Sequence, residues 1–156
     1  MKAIYYALGM SALCLGAPAW ASDAAVEAPI NKFIDSFNKG DGAAAASTMT
    51  TDTHIIDEFA PYFWGGPAAF KTWAAGYDVD AAAKNITDPH VAISAPTREL
   101  VSGDHAYVIV PAVYTFKQKG VAMSETAQMT VTLVKAKDGW KINAWSWTGP
   151  DPSPAP

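Results

Sequence analysis

One carboxylate is the strongest candidate for chemistry in this chain. Asp57 ends the short apolar segment 53–57, and an aromatic segment containing Phe59, Tyr62 and Trp64 follows it. A carboxylate among aromatic side chains loses hydration, which raises its pKa toward the range where it can abstract a proton near neutral pH. An aspartate at a strand end can instead accept hydrogen bonds from the backbone N–H groups of the next turn. Asp57 is therefore a candidate general base, with a turn residue as the competing interpretation.

Four aromatic residues are candidates for ligand contact. Tyr62 and Trp64 lie in the predicted loop after Asp57, where hydroxyl and indole N–H groups could orient a ligand at the mouth of a pocket. Phe33 lies on the first predicted helix, and Tyr114 lies on a long predicted strand. Simple filling of the core is an equally good interpretation of such residues.

The remaining ionisable residues give weaker signals. Glu125, like Tyr114, lies on a long predicted strand and could project into the interior. The alternative, an ion pair with Lys117 or Lys119 across the hairpin, is favoured over a functional acid. His54 lies three residues before Asp57, so strand alternation places it on the opposite face. The spacing of the three histidines predicts no metal site, and we expect no cofactor.

Three helices are predicted in the first half of the chain. The first carries an apolar stripe at helical spacing and ends at Gly40. Asp41 can cap a second, alanine-rich helix over residues 43–49. Pro67 fits the first turn of a third helix, whose buried face has aromatic residues at helical spacing, namely Phe70, Trp73 and Tyr77.

The second half predicts strands. From residue 90 onward apolar residues alternate with period two, and glycine-containing turns separate strands at 105–117, 121–135 and 140–148. Long strands joined by short polar turns are typical of an antiparallel meander. We therefore expect an α+β domain, with a strongly curved antiparallel sheet wrapped around the three N-terminal helices.

The last strand carries apolar residues on both predicted faces. Strict alternation puts Trp140 and Ile142 on one face, and Trp145 and Trp147 on the other. One face should meet the helices, and the other could meet a second subunit. A homodimer is the prediction, and a monomer is the alternative.

The two ends of the chain differ from the middle. Residues 1–21 combine Lys2, an apolar stretch and the small-x-small site Ala19-Trp20-Ala21, which predicts a signal peptide cut after Ala21 and a periplasmic or secreted protein. The domain then covers 22–149. The proline-rich tail 150–156 lacks packing residues and is predicted to be disordered.

Charge narrows the possible partners. The formal net charge is −4, and basic residues do not cluster. This argues against nucleic acid and anionic membrane surfaces. The mature chain would keep no cysteine, since Cys14 lies in the predicted signal peptide, so no disulfide is expected.

Four segments carry a resemblance to a known superfamily. They are 33–41, 52–57, 65–70 and the Asp138-Gly139-Trp140-Lys141-Ile142 hairpin. In this order and spacing they resemble the NTF2-like superfamily, in particular its SnoaL-like and ketosteroid-isomerase-like cone folds. The resemblance implies a cone-shaped fold and places Asp57 at the position where ketosteroid-isomerase-like enzymes abstract a proton.

The resemblance also excludes one reaction. Those enzymes stabilise an oxyanion with a tyrosine on the first helix and a protonated acid on a later strand. Phe33 and residues 129–131 occupy the matching positions here and supply neither group. Because each missing donor costs about 10²–10³ in rate, ketosteroid isomerisation is not expected.

Three functions remain. The leading hypothesis is an exported domain whose apolar pocket binds a small hydrophobic molecule. The first alternative is a lyase or isomerase that uses Asp57 as general base, and it requires N–H or O–H donors near Asp57. The second is a non-catalytic dimeric interaction module, which requires a cavity filled by core side chains (Phe33, Phe37, Trp73 and Met129).

Overall fold

The computed structural model describes residues 23–155, so the predicted signal peptide lies outside the described residues. The helices are α1 (Ala24–Asn38), α2 (Gly42–Ala46) and α3 (Ala69–Lys84). The strands are β1 (Met49–Ile56), β2 (Phe63–Gly65), β3 (Ile86–Ile93), β4 (Arg98–Ser102), β5 (His105–Gln118), β6 (Val121–Ala136), β7 (Gly139–Thr148) and β8 (Ser153–Pro154). Within 23–155, no helix combines the length and the apolar character needed to cross a bilayer.

Side-chain caps start the first two helices. The Asp23 carboxylate accepts a hydrogen bond from the Ala25 N–H, and the Asp41 carboxylate accepts one from the Ala44 N–H at 2.9 Å. These bonds satisfy N–H groups that have no partner within the helix. The predicted cap at Asp41 is confirmed, but α2 ends at Ala46, earlier than predicted, because Met49 already belongs to β1.

The strands form one open, mixed sheet in the order β2-β1-β7-β6-β5-β3, with β4 on the edge of β5 and β8 on the edge of β6. The predicted meander β5-β6-β7 is antiparallel, as expected, whereas β1 runs parallel to β7. Helix α1 packs against β3 and β7, and α3 packs against β1. The predicted α+β cone is confirmed, and the parallel β1–β7 pair is the departure from an all-antiparallel sheet.

A β-bulge in β7 changes which residues share a face. Thr132 pairs with Ala144 while the adjacent Leu133 pairs with Ile142, so Asn143 is an extra residue in the ladder. The extra residue reverses the alternation of side chains between the two faces of β7 from that point onward. Ile142 and Trp145 consequently belong to one buried core. The prediction that Ile142 and Trp145 occupy opposite faces is wrong. The homodimer was predicted from apolar residues on both faces of this strand, and the observed alternation does not support that argument.

The proline-rich tail, which the sequence predicted to be disordered, forms strand β8 at Ser153–Pro154. Strand β6 extends beyond the end of β7, which leaves backbone groups near Met123 and Ser124 unpaired. The tail returns along this edge, where Ser153 pairs with Ser124 and Pro154 pairs with Met123. Pairing of an exposed strand edge explains why a segment without a hydrophobic side chain is held in place.

Candidate functional site

A cavity of about 350 Å³ lies between α1, α3 and the concave face of the sheet. This is within the range of small-molecule sites in proteins. Its apolar wall is formed by side chains from two helices and four strands, among them Phe33, Phe37, Val91, Met129 and Trp145. Phe33, Phe37, Trp73 and Met129 therefore surround open space instead of filling it, contrary to what the interaction module requires.

Asp57 follows β1 and faces this cavity. Thr53 and Ile55 are buried, while His54 and Ile56 are exposed, so alternation turns the next odd-numbered residue inward. The Trp73 indole N–H donates to Asp57 Oδ2 at 2.8 Å, and the Glu58 backbone N–H donates to Oδ1 at 2.7 Å. Asp57 therefore lines the cavity and also accepts a hydrogen bond from the turn that follows it, and its role as a general base remains a prediction.

Burial sets the protonation of Asp57. Loss of hydration raises the pKa of this carboxyl above its ordinary value, although the hydrogen bonds from Trp73 and Glu58 oppose the rise. The negative charges of Glu58 and Asp80 raise the pKa further. Asp57 therefore holds a proton more readily than an exposed aspartate does.

Glu125 is a second acid on the cavity wall, where the sequence allowed it to project but favoured a surface ion pair. Its side chain is 4% exposed, and the Trp147 indole N–H donates to Oε1 at 2.7 Å. Burial raises the pKa of Glu125 to about 7, and the charges of Glu58 and Asp57 contribute to the rise. The predicted ion pair with Lys117 is wrong, because Lys117 pairs with Asp88 at 2.8 Å.

Glu58 connects the acids to the tail. Its Oε1 accepts a hydrogen bond from the Gly149 N–H at 2.8 Å. Asp151 and Pro152 then continue along the cavity edge. A Cβ at position 149 would overlap Glu125 Oε1, so the chain passes over this carboxyl only because residue 149 is glycine.

Two tyrosine hydroxyls form the other polar element. The hydroxyl oxygens of Tyr77 on α3 and Tyr114 on β5 lie 2.8 Å apart. Burial raises the pKa of both groups, so both are neutral O–H groups at physiological pH. Tyr114 was predicted to line the interior, and Tyr77 was predicted to lie on the aromatic face of the third helix.

The structure separates the predicted site residues into two sets. Phe33, Asp57 and Tyr114 line the cavity, and Tyr62 and Trp64 do not. Tyr62 adopts φ 69° and is 60% exposed. Trp64 belongs to β2, pairs with Ile55, and packs on Phe59 at 4.9 Å between ring centroids. The prediction that these two residues lie at the mouth of the pocket is wrong.

Trp145 is buried on the same wall, and its indole N–H has no hydrogen-bond partner in the part of the chain that the structure describes. Together, the cavity presents an apolar interior, desolvated carboxyls and a neutral hydroxyl pair. This combination can bind a small apolar molecule and can exchange protons with it.

Comparison with known proteins agrees with this architecture. The family model described as SnoaL-like domain matches residues 26–147. No curated protein matches the chain.

Several solved structures share the fold at low identity. A putative scytalone dehydratase from Novosphingobium aromaticivorans is 13% identical, with a TM-score of 0.67 over 85% of this chain and 86% of that one. A hexachlorocyclohexane dehydrochlorinase from Novosphingobium barchaimii is 15% identical, with a TM-score of 0.71 over 85% and 88%. A ketosteroid isomerase-like protein from Erwinia carotovora is 21% identical, with a TM-score of 0.63 over 81% and 94%.

The family match covers most of the chain, and these similarities establish the fold without establishing an activity. The chain therefore belongs to the SnoaL-like domain family.

Proposed function

We propose that this protein binds a small, largely apolar molecule in the cavity, with Asp57 as the polar group that fixes its orientation. The observation that carries the proposal is the open volume of about 350 Å³, enclosed mainly by aromatic and aliphatic side chains. A domain core is normally packed without voids of this size. An apolar volume kept open beside a carboxylate fits a ligand site better than it fits a structural core.

The expected affinity follows from burial. A bicyclic aromatic molecule that buries about 250 Å² of apolar surface gains roughly 6 kcal/mol, which corresponds to a Kd on the order of tens of micromolar. Because binding also costs translational and rotational freedom, this affinity is the highest that apolar contact alone can give. Polar contacts at Asp57 would add to it.

Titration with naphthylmethanol tests the proposal, with quenching of tryptophan fluorescence and calorimetry as readouts. Val91→Phe narrows the cavity, since Val91 is buried on its wall, and it should weaken binding at least about tenfold. Val101→Phe is the matched control, because Val101 is exposed on β4. Equal affinity in Val91→Phe and the parent protein, with both folded by circular dichroism, would place binding elsewhere and refute the proposal.

A second candidate is a lyase or isomerase in which Asp57 is the general base. It is favoured by the O–H groups on the same cavity, namely the Tyr77–Tyr114 pair and Glu125 in its protonated form. Asp57 would take a proton from a carbon atom, and one of these groups would donate a hydrogen bond to the oxygen or leaving group that gains charge. Several solved structures of this fold have names that include a dehydratase and a dehydrochlorinase.

Hydrogen–deuterium exchange tests this candidate without knowledge of the substrate. α-Tetralone is a bicyclic ketone of suitable size, and its exchange in D₂O can be followed by NMR. A catalytic base should accelerate exchange by about 10²-fold or more relative to Asp57→Asn. Equal exchange rates in the parent protein and in Asp57→Asn would exclude this role.

A further inference from the structure

We infer that the molecule bound in this cavity carries a cationic amine, which lies between the carboxylates of Asp57 and Glu125 and the aromatic rings beside them. The inference rests on the proposed binding of a small apolar molecule and specifies its charge.

The charge balance of the cavity is the first support. Four carboxyls on its wall, those of Asp57, Glu58, Glu125 and Asp151, have no cationic partner in the part of the chain that the structure describes. Lys84 is the one cationic lining residue within 23–155, and its Nζ lies 2.7 Å from Asp80 Oδ2. The cavity therefore lacks positive charge where its acids converge.

The burial and mutual repulsion of these acids are the second support. Glu125 is almost fully buried, and the charges of Glu58 and Asp57 act against its ionisation. Buried carboxyls that repel one another are costly unless a positive charge or a proton compensates. An ammonium group placed among them would relieve this repulsion, whereas an anionic occupant would increase it.

The aromatic surroundings are the third support. Trp73 contacts Asp57 through its indole N–H, and Trp147 contacts Glu125 in the same way. The rings of Tyr114 and Trp147 are 6.3 Å apart with an interplanar angle of 86°. Aromatic faces attract ammonium groups, by about 2 kcal/mol or more where water is excluded. Carboxylates and aromatic rings on one cavity wall are the chemistry that recognises an organic ammonium ion.

A buried donor without a partner completes the set. Trp145 lines the same wall, and its buried indole N–H has no acceptor among residues 23–155. Buried polar groups are normally paired, so an unpaired one indicates a missing partner.

Three probes of similar size and different charge test the inference by calorimetry at neutral pH: naphthylmethylammonium, naphthylmethanol and naphthoate. The ammonium should bind at least about tenfold more tightly than the alcohol, and naphthoate should bind most weakly. In Glu125→Gln the preference for ammonium over alcohol should fall below about threefold. Asp104→Asn is the control, because it removes an equal charge from the exposed β4–β5 turn and should leave the preference unchanged.

Binding of the ammonium should also release protons. The titratable groups that surround Glu125 in the cavity come from several elements. They are Asp57 and Glu58 of the β1–β2 loop, Tyr114 on β5, Tyr77, Asp80 and Lys84 on α3, and Asp151 in the tail. A cation binds the ionised carboxylate, so its affinity should fall as the pH is lowered from about 8 to about 6, by at most about tenfold per pH unit. Calorimetry in two buffers of different ionisation enthalpy measures this proton release directly.

The outcomes separate the two proposals. Equal or tighter binding of naphthylmethanol overturns the inference and leaves the proposed function standing. Failure of all three probes to bind overturns both. An equal loss of ammonium preference in Glu125→Gln and Asp104→Asn shows long-range attraction to an acidic protein and overturns the inference.

Discussion

Replacement of Glu125 by glutamine should make the protein more stable at alkaline pH while leaving its stability at acidic pH almost unchanged. Glutamine matches glutamate in shape, and its carbonyl oxygen can still accept the hydrogen bond from the Trp147 indole N–H. The substitution therefore removes the ionisable proton and keeps the packing.

The sign follows from the pKa of Glu125, which burial raises from 4.5 to about 7. Between these two pH values the unfolded chain has lost the proton that the folded protein retains, so rising pH favours unfolding. Below pH 4.5 the raised pKa of Glu125 does not reduce the stability of the folded protein. The free energy of unfolding then falls as the pH rises toward the folded-state pKa of about 7, and it stays low at higher pH. The full shift corresponds to at most about 3 kcal/mol, and water in the cavity screens part of it.

We therefore expect the parent protein to lose about 1–2 kcal/mol more than Glu125→Gln between about pH 5 and about pH 8. Urea denaturation followed by tryptophan fluorescence measures this difference, and the melting temperatures should diverge by about 3–8 °C. Asp104→Asn, which removes an exposed carboxyl, is the control and should follow the parent curve. Parallel stability curves for the parent and Glu125→Gln over this pH range would refute the claim that Glu125 is buried and desolvated in the folded protein.

Three further substitutions test the rest of the site. Asp57→Asn should keep the fold and leave the melting temperature at neutral pH equal or higher, because it removes a desolvated carboxyl. A marked fall of the melting temperature, measured by calorimetry, would show that the hydrogen bond of Asp57 to the turn dominates. Tyr114→Phe removes one member of the hydroxyl pair with Tyr77 and should lower the free energy of unfolding by about 1 kcal/mol, so an unchanged urea midpoint would contradict the pairing. Gly149→Ala should cost about 1–3 kcal/mol through overlap with the carboxyl beneath it, whereas Gly42→Ala, which meets open space, should stay within about 0.5 kcal/mol.

Local sequence signals predicted much of the fold. The stripe on α1, the cap at Asp41 and the glycine turns between the long strands depend on neighbouring residues, and each lies where it was expected. The inward direction of Asp57 follows from alternation along β1. The order of the strands could not be derived in the same way, because the parallel β1–β7 pair joins segments that are distant in the chain.

Irregular backbone explains two errors. The bulge at Asn143 reverses the alternation of β7, and no glycine or proline marks it in the sequence. The left-handed conformation of Tyr62 and the three-residue strand after it turn Trp64 inward beside Ile55. Both features depend on contacts made after the chain has folded, so side-chain periodicity alone does not reveal them.

The inward position of Glu125 was allowed by the sequence but not preferred, although a signal for it was present. Residues 125, 127, 129, 131 and 133 alternate as one buried face of β6, and Glu125 is the first member of this series. Pairing with a lysine across the hairpin was the simpler interpretation of an acid near a turn. The register instead places Glu125 opposite Tyr114 on the cavity side.

The central claim is that the cavity between the helices and the sheet admits a ligand, and intermolecular NOEs with naphthylmethanol test it most directly. Contacts from the probe ring to the methyl groups of Met129 and Val91, both on the cavity wall, are the predicted result. Contacts confined to the exposed apolar residues Ile56, Tyr62 and Phe63 would contradict the account, because they would place the ligand on the outer surface.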